Sequence, residues 1–367
     1  MKKRVARLTM ILGLLLLVLA PAAVQADDHP ENIVGTAVIS DGSGTNDSVN
    51  LSMSGIPQPP DGTRYSLILL SDDGLTSETL GELVGGEEGL VSQTFTSSSD
   101  LIANASNLWV VFGPPDLRSY EASIAASGIA HIRHVLIAGA GDDPLKKGYL
   151  NGAADQAAVA LLHANLALSE ANKGNLAGAK LHAEHVVNII DGTTEDLNGD
   201  GQGQNPGDGI GLVTYAAAAG KHAGFAAASV PDSMPITENA VQVQTATANV
   251  LAWAADAKTN AGLVQRQTTL SLATLFIEKA AASLGSAING RDANRNGSVE
   301  ALTGEAGLTQ ARWYAQWMAT YELSPARLGK LPNVGDSTVP VLPFVATIAG
   351  ASLLMLGFGL RRRWTTS

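Results

Sequence analysis

The sequence predicts an α+β multidomain chain: an N-terminal antiparallel β-sandwich, an α-helical bundle and a C-terminal transmembrane helix. Three observations carry this expectation. Up to about residue 118, short apolar and polar alternations are separated by Gly, Asp, Ser and Pro clusters. From residue 119 onward, Ala, Leu and His recur at helical spacing. Residues 339–360 then carry no charge and are followed by Arg361, Arg362 and Arg363.

Taken in order, Lys2, Lys3, Arg4 and Arg7 precede an apolar run over residues 10–20 and small residues up to Ala26. A basic start, a short apolar stretch and small residues form a secretory signal, so residues 1–26 are expected to be removed after export. Residues 27–118 read as the sandwich, with strands expected at 34–39, 49–53, 65–70 and 108–112. Residues 119–326 read as a single bundle of five or six helices without a fixed repeat period. Helices are expected at 150–171, 176–190, 210–228, 238–257, 263–288 and 308–321. Between the first two, Gly174 supplies a left-handed stop and Asn175 a cap, which makes an antiparallel helical hairpin. Trp313, Tyr314, Trp317 and Tyr321 read as core aromatics of the last helix. Residues 327–338 are a linker, 339–360 the transmembrane segment, and 361–367 a basic tail that stays cytoplasmic.

Two resemblances sit on this frame. Gly62-Thr63-Arg64-Tyr65-Ser66-Leu67-Ile68-Leu69-Leu70-Ser71-Asp72-Asp73-Gly74, with Leu80-Gly81-Glu82-Leu83 and Gly89-Leu90-Val91, resembles the extracytoplasmic domain of anti-sigma-K factors. The resemblance implies a β domain. It does not imply sigma-factor binding, because that family carries its sigma-binding segment in the cytoplasm ahead of a membrane helix, where this chain has a leader. The tail at 361–367 is also too short for a folded output domain. Leu331-Pro332-Asn333-Val334-Gly335-Asp336, ahead of the apolar stretch and the Arg triplet, resembles the Leu-Pro-x-Thr-Gly signal of sortase-anchored surface proteins and departs from it at Val334. Retention as a membrane anchor and cleavage by a sortase both place the ectodomain at the outer face of the cell envelope.

Composition bounds the function. Four basic residues in the leader and three in the tail leave 16 basic against 34 acidic side chains in residues 27–338, a net charge near −18. Such a surface lacks the basic patches that nucleic acid requires and attracts cations. With no cysteine, disulfides, thiolate zinc sites and iron–sulfur clusters are excluded. No nucleophile elbow, phosphate loop or dinucleotide fingerprint occurs, which favours a non-catalytic protein.

Two motifs point to cations. Asp196, Asn198 and Asp200 stand at positions one, three and five of a loop with Gly201 at six, and Gln202 and Asp208 follow. A hard divalent ion needs several oxygens converging, and this spacing supplies them in calcium loops. Asp292, Asn294 and Asn296, with Gly297 and Glu300, repeat the pattern. The other motif is histidine. His134, His163, His182, His185 and His222 all fall in the helical region, with His131 beside them, and His182 and His185 at i, i+3 share one side of a helix. Bundles build transition-metal and haem sites from such facing side chains. The expected function is therefore an envelope-anchored extracellular binding or sensory protein, stabilised by calcium and engaging an extracellular ligand or protein. The alternative is a metal- or haem-binding protein of envelope redox chemistry or metal handling that uses the histidines.

Overall fold

The computed structural model describes residues 32–59, 62–85, 89–112, 118–138 and 147–326. The expected signal, sorting motif, transmembrane segment and basic tail lie outside them. Among the described residues, no helix is long and apolar enough to cross a membrane.

The strands are β1 (Gly35–Ser40), β2 (Ser48–Met53), β3 (Tyr65–Ser71), β4 (Ser77–Glu82), β5 (Val91–Thr96), β6 (Ala105–Phe112), β7 (Arg118–Ser123) and β8 (Thr320–Pro325). Alternation drives them: Ala37 and Ile39, Val49 and Leu51, Leu67 and Leu69, Leu108 and Val110, and Tyr321 and Leu323 are buried at every second position. They form one sheet in the order β4-β3-β6-β7-β8-β1-β2-β5, and every pairing is antiparallel. The two outer strands are drawn together. The Gln93 side chain accepts from Val84 N–H at 2.9 Å and donates to the Glu82 carbonyl at 3.0 Å, and Ser99 donates to Glu78 at 2.9 Å. Gly81 faces the Phe95 ring so closely that a Cβ there would lie 3.1 Å from it. The sheet is thus a nearly closed barrel, which shields the edges an open sheet would expose.

This overturns the expected two-domain arrangement. There is no sandwich ending near residue 118, because β8 is contributed by residues 320–325 and lies between β7 and β1. The helical segment is an insertion between two neighbouring strands of one barrel, and the described residues from Asn32 to Ala326 are one unit. In the antiparallel order all odd strands run one way, so β7 ends and β8 begins at the same rim. The helices depart from that rim and return to it.

They are α1 (Leu101–Asn104), on the rim itself, then α2 (Ala126–Leu136), α3 (Tyr149–Asn172), α4 (Leu176–Asp191), α5 (Leu212–Ser229), α6 (Met234–Val264), α7 (Leu270–Asn289) and α8 (Leu308–Trp317). Alanine makes the contacts. Ala153, Ala157, Ala160, Ala164, Ala167 and Ala171 are buried along α3 at alternating steps of four and three, and α5, α6 and α7 repeat the pattern. Small side chains let these helices approach closely, and Gly152 carries this furthest: a Cβ there would lie 2.2 Å from the Tyr215 ring. The hairpin turn forms as expected, with Gly174 at φ 82° and Asn175 accepting from Gly178 N–H at 3.0 Å. The break between α6 and α7 falls at residues 265–269, because α6 continues through Asn260 and Gly262. The aromatic reading also changes. Trp313 and Trp317 are 48% and 43% exposed, while Tyr321 belongs to β8 and is fully buried.

Two arginines fasten the helices to the rim. Arg133 on α2 pairs with both Asp72 carboxylate oxygens at 2.5 and 2.7 Å and donates to the Ile102 carbonyl at 2.7 Å. Arg312 on α8 donates to Asp41 at 2.7 and 3.1 Å and to Asn151 at 2.7 Å, and Gln316 donates to Asp41 and to the buried Asn46. Burial alone would raise the Asp41 carboxyl, but donors from Arg312 and the Asn46 N–H outweigh it and hold it below the ordinary value. A carboxyl depressed in the folded state contributes stability that is present above its unfolded value of about 3.9 and is lost as pH falls through the folded one. The urea midpoint is therefore expected to fall as pH drops from 5 to 3, and Asp41→Asn should flatten that dependence. An unchanged slope in the variant would refute the assignment.

Candidate metal centres

On α2 the buried residues Ile129, Ile132, Val135 and Leu136 face the core, which leaves His131 and His134, one turn apart, on the side toward α5. There they meet His222. Its Nδ1 lies 3.2 Å from Nδ1 of His131 and 3.1 Å from Nδ1 of His134. The Phe225 ring stands 5.4 Å from those of His131 and His222, and Tyr149 at the start of α3 lies 4.9 Å from His222. Arg133, between the two α2 histidines, points the other way into its rim contacts and fixes the helix that presents them.

The second cluster has the same construction. His182 and His185, one turn apart on α4, meet His163 of α3, whose Nδ1 lies 3.1 Å from Nδ1 of each. In both clusters the three nitrogens lie within 4.8 Å of one another. A ring nitrogen has one in-plane position, holding either a proton or a lone pair, so it makes one good N–H···N bond and not two. Two Nδ1 atoms gathered on a third therefore exceed what hydrogen bonding among them can satisfy. Zinc–nitrogen bonds of about 2.0 Å at tetrahedral angles put neighbouring nitrogens about 3.3 Å apart, close to the spacing here.

At His134, His163, His182 and His185 the electrostatics favour the neutral ring, the form with a free lone pair. Burial, then the neighbouring His185 and His182, lowers His163 to about 4. Burial and His185 lower His182, burial lowers His185, and burial with His131 lowers His134. The five histidines singled out in the sequence thus divide between two sites, and His131 completes the first. Tyr149 packs on one site and His163 belongs to the other, 14 residues along α3, so the sites stand about 20 Å apart at 1.5 Å per residue.

The two Asx-rich loops share one backbone. In the first, Asp196 accepts from Gly199 N–H at 2.8 Å and Gly201 N–H at 2.9 Å, Asn198 accepts from Asp200 N–H, and Asp200 from Gln202 N–H. In the second, Asp292 accepts from Asn296 N–H at 3.2 Å and Gly297 N–H at 2.9 Å, while Asn294 and Asn296 accept from the N–H two residues on. The fourth and sixth positions are left-handed in both: Gly199 and Gly201 in one, Arg295 and Gly297 in the other. Glu300 accepts from the Asn296 amide at 2.9 Å. Asp208 turns away from its loop toward the bundle, where it accepts from the Tyr215 hydroxyl at 2.8 Å and from Ile210 N–H.

Two carboxylates outside the Asp/Asn positions of the motif, Glu184 beside the histidines and Glu305 beyond the second loop, organise these loops. Glu184 is fully buried and accepts from the N–H groups of Leu197, Asn198 and Gln204 at 2.8, 3.0 and 3.3 Å. Glu305, also buried, accepts from those of Asn294 and Glu300 at 3.1 and 3.2 Å. Each therefore satisfies the third and ninth residues of its loop. The available signal was an acidic residue inside an otherwise apolar helical run, as at Glu184 among Ala183, Val186 and Val187. No family model, curated protein or solved structure matches the chain.

Proposed function

We propose that this is an exported metal-binding protein that holds two borderline transition-metal ions, one in each three-histidine cluster. The observation that carries the reading is the grouping of three imidazoles in each cluster, where one Nδ1 lies 3.1–3.2 Å from the Nδ1 of the other two, near the edge length of a tetrahedral ligand set. An all-imidazole donor set suits zinc, copper(II), nickel and cobalt rather than calcium or magnesium, which prefer oxygen. Haem fits poorly, since nitrogens in direct contact leave no room for a porphyrin plane between them. Three protein ligands leave a fourth position for water or for a ligand through which the ion is handed on. The leader-like residues 1–26 support export, and an ectodomain charge near −18 concentrates cations around the sites. Binding and handling of the ion need no further catalytic group.

Calcium at the two Asx-rich loops is a second reading, favoured by their shared backbone and by the bond from the sixth-position N–H to the first-position carboxylate. It would be a structural ion beside the exchangeable ones. Calorimetric titration of chelator-stripped protein tests both. Zinc is expected to bind at two equivalents, His163→Ala to remove one and His222→Ala the other. Zinc uptake indifferent to both substitutions would overturn the first reading. Absence of calcium heat in the same protein would overturn the second.

A further inference from the structure

An imidazole that gives Nδ1 to an ion keeps its proton on Nε2, and the group accepting that proton sets the ring's orientation and basicity. At His185 the acceptor is Gln204, whose Oε1 lies 3.2 Å from Nε2. Gln204 is also the ninth residue of the first Asx-rich loop, and α4 holds its backbone from both sides. Its N–H donates to Glu184 at 3.3 Å, and its carbonyl accepts from Asn188 at 2.9 Å. Its own amide nitrogen donates to the Gln202 side-chain oxygen at 3.4 Å. Glu184, His185 and Asn188 are all buried. One residue is therefore part of the loop's framework and of the outer shell of the second histidine cluster.

We propose that Gln204 couples the His163, His182 and His185 site to the loop at residues 194–208, so that capturing an ion and ordering the loop are one event. The proposal rests on the metal-binding reading of that cluster. Without an ion, His185 exchanges between tautomers. When Nδ1 carries the proton, the Nε2 lone pair faces the Gln204 oxygen and the two repel. Flipping the Gln204 amide alone does not relieve this, since it turns that oxygen onto the oxygen of Gln202, and relief requires both amides to turn together. An ion on Nδ1 selects the tautomer in which Nε2–H donates to Gln204, and the loop is then pinned through its side chain as well as its backbone. Linkage makes the effect reciprocal: an ordered loop strengthens ion binding by the factor with which the ion orders the loop. Gln204 is thus a positioning residue, acting on the ion through His185. The second loop supplies an internal control, because its ninth residue, Glu300, bonds to Asn294 and Asn296 instead of a histidine.

Hydrogen exchange on the full chain, with and without zinc, reads the coupling directly. Zinc should slow exchange across residues 196–204 several-fold and leave residues 292–300 unchanged. Gln204→Leu should weaken zinc at the second cluster about 10- to 100-fold, the usual effect of losing an outer-shell partner. Zinc at the first cluster should keep its wild-type affinity in that variant, which shows that the variant is folded. Gln204→Glu, which retains an acceptor, should recover the affinity. The proposal is overturned if zinc binds the second cluster without altering exchange in residues 196–204. It is equally overturned if Gln204→Leu binds zinc like the wild type, or if Gln204→Glu is no better than Gln204→Leu. Failure of either cluster to take zinc at all is a separate result, which removes the metal-binding reading itself.

Discussion

Zinc is expected to raise the melting temperature of the metal-free protein by an amount on the order of 10 °C, and replacing one histidine in each cluster should abolish the rise. At a free concentration a thousandfold above its dissociation constant, an ion that binds only the folded state contributes about 4.1 kcal/mol, so two such ions contribute about 8 kcal/mol. For domains of 150–250 residues each kcal/mol moves the midpoint by about 2–4 °C, with less for larger ones. The gain has a structural cause. The first cluster joins α2 to α5, whose histidines stand 88 and 91 residues apart, and the second joins α3 to α4 across 19 and 22 residues. Each ion therefore cross-links helices that the unfolded chain holds far apart. Thermal melts followed by circular dichroism, in chelator and in excess zinc, provide the measurement. His163→Ala and His222→Ala should each retain about half of the stabilisation. A midpoint unmoved by zinc would be incompatible with the assignment.

Glu184→Leu is expected to cost about 3–5 kcal/mol, the largest effect of any single substitution in the loop regions. The leucine leaves the N–H groups of Leu197, Asn198 and Gln204 without their acceptor, and hydrogen bonds to charged groups are worth about 1.5–3 kcal/mol each. Part of that cost is recovered because the freed N–H groups can reach water once the loop lifts away. Glu305→Leu orphans two such groups instead of three and should cost less. Urea denaturation orders the two variants. The Glu184 variant should also weaken zinc at the second cluster, since Gln204 loses one of its anchors, while the first cluster remains intact. Equal costs for the two variants would remove the structural role assigned to Glu184.

Much of the local structure is legible in the chain itself. Period-two burial in β1, β2, β3 and β6 and the Gly174–Asn175 turn between α3 and α4 are properties of short segments, so the residues that specify them are adjacent. The i, i+3 pair His182 and His185 is legible for the same reason. β8 was not, because Tyr321 continues the spacing of Trp313 and Trp317 and reads as one more helical turn. What overrides that spacing is the vacancy between β1 and β7, which six residues with Tyr321 and Leu323 at alternate positions fill. The exposure of Trp313 and Trp317 follows from the same event, since α8 ends at Trp317 to let the chain enter the sheet.

Legible in the residues alone are the combination of strands with helices, the acidic and cysteine-free character of residues 27–338, and the presence of two Asx-rich loops and six histidines in the helical part. Those are matters of composition and of spacing within one turn or one pleat. Tertiary packing is what makes barrel and helices one unit, divides six histidines into two clusters and not one, and lets Glu184 and Gln204 tie a loop to the second cluster. The physical reason is the alanine packing of α3, α5, α6 and α7. Nearly uniform small side chains set helix register through the whole ensemble of close contacts, so no local signal announces which histidine will stand opposite which.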